Sequence, residues 1–119
     1  MLKKISFIII FLSSFMTYAQ ILPSPKNIVY GDGEFLLKKN AEISVNGSIG
    51  KTTSEYMVGQ LSTATGFQFK LKEGPAKKGI VFSEVSPNSD LGEEGYKLEI
   101  SKNLILIKAK SEKGMFYAV

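Results

Sequence analysis

Tyr96-Lys97-Leu98-Glu99-Ile100-Ser101-Lys102-Asn103-Leu104-Ile105-Leu106-Ile107-Lys108-Ala109 is the stretch on which the fold turns. Tyr96, Leu98 and Ile100 alternate with Lys97, Glu99 and Ser101, the period of a strand with one buried face. Lys102-Asn103 leaves a two-residue hairpin loop. That loop sets Ile100 opposite Ile105 and Leu98 opposite Ile107, a matched apolar face. Leu104 and Leu106 fall on the other face beside charged neighbours, either under a further element or as ordinary exposed apolar residues.

Working back along the chain, Gly79–Val85 reads as a strand whose Ile80-Val81-Phe82 core suits a central position, and Pro87–Gly95 reads as a polar loop. Phe67–Leu71 reads as a strand with Phe67, Phe69 and Leu71 on one face. Before it lies one complete helix. Thr52 and Glu55 have capping-box spacing, Met57, Leu61 and Ala64 share a face, and Gly66 stands where a terminating glycine belongs. Glu42–Val45, Glu34–Leu37 and Asn27–Tyr30 read as three short strands, the last two joined by a Gly31-Asp32-Gly33 turn. Ile21–Pro25 is an extended lead-in, because a residue before proline is pushed out of the helical region. The expected fold class is therefore α+β: an antiparallel sheet of about six to seven short strands with its helices on one face.

At the far end, Ser111-Glu112-Lys113 opens a second helix, and Met115–Val119 is an apolar run with no capping glycine, basic last turn or polar exit. The expectation is a C-terminal helix truncated at Val119, with Met115, Phe116, Tyr117 and Val119 left unburied.

At the near end, residues 1–19 read as a secretory signal peptide. Lys3 and Lys4 precede the 11-residue apolar run Ile5–Phe15, and Thr17-Tyr18-Ala19 supplies small residues at the cleavage site. A membrane-spanning helix needs roughly 20 apolar residues, so no stable anchor is expected. Cleavage near Ala19 would leave residues 20–119 as an exported, periplasmic or extracellular domain.

Composition narrows the function classes. The 119 residues include 15 lysines, 11 acids and no Arg, His, Cys or Trp. Without His or Cys there is no imidazole base, no thiolate nucleophile and no zinc or haem site of the usual kind, so no cofactor and no metal site is expected. Without Arg there is no bidentate fork for phosphate or guanine, which argues against nucleic-acid recognition. Losing Lys3 and Lys4 with the leader leaves 13 lysines against 11 acids, a net charge of +2. The pairs Lys38-Lys39 and Lys77-Lys78 then read as solvated turn residues.

Three local features invite a functional reading, and each has a plainer one. Glu93-Glu94 could be an acid–base pair but sits in a polar loop with nothing to shift either group. Gly31-Asp32-Gly33 lacks both the following helix of a phosphate loop and the repeated acids of a calcium loop. Tyr96, Phe116 and Tyr117 could stack on sugar rings, but at strand and helix spacing they read as core.

Leu22-Pro23-Ser24-Pro25 with Gly33-Glu34-Phe35, then Gly95–Ile100, then Ile107-Lys108-Ala109 with Gly114–Val119 follow one another behind a signal peptide, with a helix between. In that order the chain resembles the N-terminal, non-catalytic domain of secreted bacterial β-N-acetylhexosaminidases of glycoside hydrolase family 20, from about Ile21 to Val119. The resemblance implies a small α+β domain preceding a (β/α)₈ barrel. An adjacent Asp-Glu pair in that barrel would work with the substrate's own acetamido oxygen as nucleophile. It also implies that the partner is the chain's own downstream barrel, that glycan is met only through the barrel, and that residues 1–119 carry no catalytic residue and are inactive alone. The alternatives are a free-standing secreted glycan- or protein-binding module and the leading domain of another glycosidase family.

Overall fold

The computed structural model describes residues 24–119. The signal peptide assigned to residues 1–19 and the Ile21–Pro23 part of the lead-in lie outside the described residues. The chain divides into two units between Gly31 and Asp32. In the first, residues 24–31 carry no strand, so the one expected at Asn27–Tyr30 is not formed. Val29 and Tyr30 are 95% and 88% exposed, and so little burial cannot offset the entropy of ordering the backbone.

The second unit runs β1 (Glu42–Asn46), α1 (Lys51–Thr65), β2 (Lys70–Glu73), β3 (Gly79–Glu84), β4 (Tyr96–Ile100), β5 (Leu104–Ala109) and α2 (Glu112–Tyr117). The α+β class stands, but the antiparallel sheet of six to seven strands does not. The sheet has five strands in the order β2-β1-β3-β5-β4. Only β4 and β5 are antiparallel, while β1 pairs in parallel with β2 and β3, and β3 with β5. The reason lies in the connections. α1 carries the chain back to the end where β1 began, so β2 must start there too. Residues 74–78 then recross β1 to the start of β3, and the β4–β5 hairpin returns β5 to that same end.

The hairpin itself has the register its alternation predicts, with Leu98 opposite Ile107 and Ile100 opposite Ile105. The strand expected at Phe67–Leu71 begins later, at Lys70, because β1 begins at Glu42 and Glu42 pairs with Lys70. Glu34–Leu37 is not a strand either. Phe35 and Leu37 pack against the core while Leu36 between them stays exposed, a period-two burial without a hydrogen-bonded ladder.

The pairing aligns Val45, Phe82 and Ile107 across the centre of one face. Ile43, Ile80 and Ala109 extend that face, and Met115 of α2 and the half-buried Met57, Val58 and Leu61 of α1 cover it. Both helices therefore lie on one face, as expected. The stripe on α1 is Met57, Val58 and Leu61, however, and Ala64 is exposed. Leu104 and Leu106 are half-buried on the opposite face.

The start of α1 differs from the local reading. Its N-cap is Gly50, with φ 89° and no side-chain cap of its own, and Thr52 and Glu55 stand exposed rather than forming a capping box. A carboxylate from α2 does the capping. Glu112 accepts from the Gly50 N–H at 2.7 Å, from the Thr53 hydroxyl at 2.8 Å and from the Thr53 N–H at 3.3 Å. The other end closes as expected: Gly66, with φ 70°, donates its N–H to the Ser62 carbonyl at 2.8 Å.

α2 is placed by three contacts. Ser111 is its N-cap and accepts from the Gly114 N–H at 3.1 Å, while its own hydroxyl donates to the Glu93 carbonyl. Gly114 lies so close to the β4 lead-in that a Cβ there would strike the Gly95 carbonyl and meet Ala109 Cβ at 2.9 Å. Met115, expected among the unburied residues, is fully buried. At 100° per residue, a helix of this length aims one large side chain at the sheet and turns the next two away.

Two outcomes follow for stability. Glu112→Ala should lower the unfolding free energy in urea by about 1–2 kcal/mol, the usual cost of losing an N-terminal cap, and Glu112→Gln by less. Glu84 gives a pH test. Its carboxylate accepts from the Ser48 N–H at 2.5 Å and the Ser48 hydroxyl at 2.9 Å, which hold its pKa below the ordinary value near 4.5. A depressed carboxylate contributes stability above its unfolded pKa and loses it as pH falls through the folded one. Thermal melts from about pH 5 down to about pH 2 should therefore show a shallower loss in Glu84→Gln than in the parent protein.

Candidate functional site

The residues singled out in the sequence separate in space. Glu93 and Glu94 lie in the exposed loop before β4 and point to different lysines, Glu93 to Lys110 at 3.1 Å and Glu94 to Lys113 at 3.9 Å. They share no cleft. Gly31, Asp32 and Gly33 are all exposed, and Gly33 has the positive φ of a plain turn. Tyr96 packs against the core. Among the described residues, no group of three or more His, Cys, Asp or Glu side chains could hold a metal ion. Among the same residues, no helix is long and apolar enough to cross a membrane.

Phe116, Tyr117 and Val119 are exposed, as the open C-terminal helix led us to expect and not core as the spacing suggested, because Met115 takes the inward position of α2. Phe116 and Tyr117 are 54% and 47% exposed, and Tyr56 on α1 is 51% exposed beside them. The Tyr56 and Phe116 rings lie 6.0 Å apart and tilted, and Phe116 and Tyr117 meet edge-on at 6.3 Å. These separations suit favourable aromatic pairs. The two helices thus present one joined aromatic surface on the side away from the sheet. Its rigidity comes from below: Glu112 ties α2 to the start of α1, and Met115 anchors α2 in the core.

A second feature, at the carboxyl ends of β1 and β2, is a shallow cleft of about 460 Å³ lined by Ser48, Lys51, Lys72 and their neighbours. Several of its polar groups are already engaged. Ser48 bonds Glu84, Lys72 pairs with Glu42 at 2.6 Å, and the amides at the start of α1 are held by Glu112. Nothing in it is arranged for acid–base or nucleophilic work.

The described residues build a helix layer on a mixed sheet with an outward aromatic face. The chain belongs to glycosyl hydrolase family 20, domain 2, whose profile matches residues 18–119. No curated protein matches it.

Glu93→Gln and Glu94→Gln supply the check on the carboxylate pair. Both side chains are well exposed, so each substitution should change stability by less than about 1 kcal/mol, the range of exposed ion pairs in double-mutant cycles. Neither should alter any glycosidase activity of the gene product, read as kcat/KM on a chromogenic glycoside.

Proposed function

We propose that the chain is the N-terminal scaffold domain of an exported β-N-acetylhexosaminidase that removes terminal N-acetyl-D-hexosamine from glycans or chitin-type oligosaccharides. The observation that carries this reading is the family match over residues 18–119. The domain's task is mechanical. Catalysis falls to a (β/α)₈ barrel, where a paired Asp and Glu position the acetamido group and protonate the leaving oxygen.

The Tyr56–Phe116–Tyr117 surface is the natural place for such a barrel to rest. It is apolar and already ordered, so covering it costs little side-chain entropy. Burying the exposed half of Phe116 alone would contribute roughly 1 kcal/mol. Residues 1–19 act as the cleaved leader, and the product works in the periplasm or outside the cell.

The test uses the full gene product exported from its host. It should begin at Gln20 by mass spectrometry and release the aglycone from a chromogenic N-acetylglucosaminide, whereas residues 20–119 alone should not. Tyr56→Ser with Phe116→Ser should lower the full product's melting temperature more than that of residues 20–119. A full product with no activity on either N-acetylglucosaminide or N-acetylgalactosaminide would refute the enzyme reading and leave the binding module in its place.

A further inference from the structure

Lysines from both pairs read as turn residues converge. Lys38, Lys77, Lys78 and Lys102 line one groove of about 790 Å³, together with Asn40 and Asn103. That volume lies in the range of small-ligand sites, roughly 300–1,000 Å³. The topology explains the meeting. β1, β3 and β5 are parallel, so they all start at one end of the sheet, and the segments leading into them gather there. Lys38 is held by a tight turn in which the Ala41 N–H donates to the Lys38 carbonyl at 3.0 Å. Lys77 and Lys78 end the segment that recrosses β1. Lys102 sits in the hairpin loop, which is fastened to the start of β3 by the Gly79 N–H donating to the Asn103 carbonyl at 2.8 Å.

Four lysines face two carboxylates in this groove, so its lining stays positive. None of the four lysines forms an ion pair with the described residues. The groove also holds Glu34 and Glu42, but Glu42 is already matched by Lys72. Its carboxyl is held below the usual range first by that hydrogen bond and charge, with Lys78 and Lys70 adding to the effect. At the opposite end of the parallel strands Lys110 and Lys113 are matched by Glu93 and Glu94, whereas the four groove lysines have no such partner and together favour an anion with several charges.

We propose that this groove binds an acidic oligosaccharide, its sulfate or carboxylate groups facing Lys38, Lys77, Lys78 and Lys102 and its hydroxyls facing Asn40 and Asn103. The choice of a glycan rests on the family reading above. The residues also disfavour nucleic acid: the chain has no arginine to fork onto phosphate, and the groove's aromatic side chain, Phe35, is packed into the core rather than free to stack on a base.

Calorimetric titration of the full gene product at low salt tests this with four probes of equal length: a heparin-derived oligosaccharide, an oligogalacturonate, a neutral chito-oligosaccharide and a single-stranded DNA. Binding of heparin alone assigns the site to sulfate, and binding of both acidic probes assigns it to any anionic sugar. In either case Lys77→Gln with Lys78→Gln should weaken binding at least tenfold, with the melting temperature and hexosaminidase activity unchanged. Added salt should weaken it as well. Failure of both acidic probes, equal affinity of the double variant, or DNA binding as tight as the sugars would overturn the proposal. If the acidic probes fail while N-acetylglucosaminide hydrolysis persists, only this groove assignment falls. If hydrolysis is absent while the acidic probes bind, the enzyme reading falls and the groove stands.

Discussion

One carboxylate ties the two halves of this domain together. Glu112 belongs to the last helix, yet its oxygens satisfy the first amides of α1, 59 and 62 residues earlier in the chain. The start of α1 has no side-chain cap of its own, so those amides depend on α2 being in place. α2 in turn is a six-residue helix, far too short to persist in water unless packed. Each helix therefore supports the other. Gly50 makes the meeting possible, since its backbone has φ 89° and a Cβ there would approach Phe82 at 3.3 Å and the Met115 side chain at 3.6 Å. The aromatic surface built from Tyr56, Phe116 and Tyr117 is a consequence, because its rings come from both helices.

The sequence was legible where structure is local. The β4–β5 hairpin could be read down to its register because a two-residue loop and strict alternation leave only one way to match the apolar faces. The end of α1 at Gly66 was legible for the same reason. Strand direction was not. Parallel pairing is decided by what a connection does in space, and no residue in Glu42–Asn46 or Gly79–Glu84 announces that its neighbour runs the same way. The spacing of Thr52 and Glu55 misled because a capping box is a local pattern, whereas the cap that forms comes from Glu112. Glu34–Leu37 shows the limit of alternation itself: Phe35 and Leu37 do turn inward, but alternation cannot tell whether a partner strand is there to receive the hydrogen bonds.

The aromatic face and the lysine groove were hidden for different reasons. Phe116 and Tyr117 share an apolar run with Met115, and composition alone cannot say which member of the run faces the sheet. The steric demand at Gly114, set against the Gly95 carbonyl, fixes that rotation. The lysine groove draws on segments around Lys38, Lys77 and Lys102, so each contributor looks like an isolated solvated turn until the parallel strands bring their lead-ins together. The signal that could have pointed to it is distributional. Lysines stand just ahead of both β3 and β5.

The two surfaces differ in chemistry, and so in the contacts they suit. The aromatic face of the helix layer is apolar and suits a permanent contact, where burial does the work and geometry must not change. The lysine groove lies in loops at the amino ends of the parallel strands and is charged, so attachment there would be weaker, sensitive to salt and reversible. On the proposed reading, a domain that rests on its neighbour through one surface and takes an acidic glycan through another would bring that glycan close to the neighbour. Simultaneous engagement then raises the local concentration of that glycan without any further contact, provided the two surfaces do not overlap. They share no residue: the groove is lined from the lead-ins to β1, β3 and β5, and the aromatic face is carried by α1 and α2.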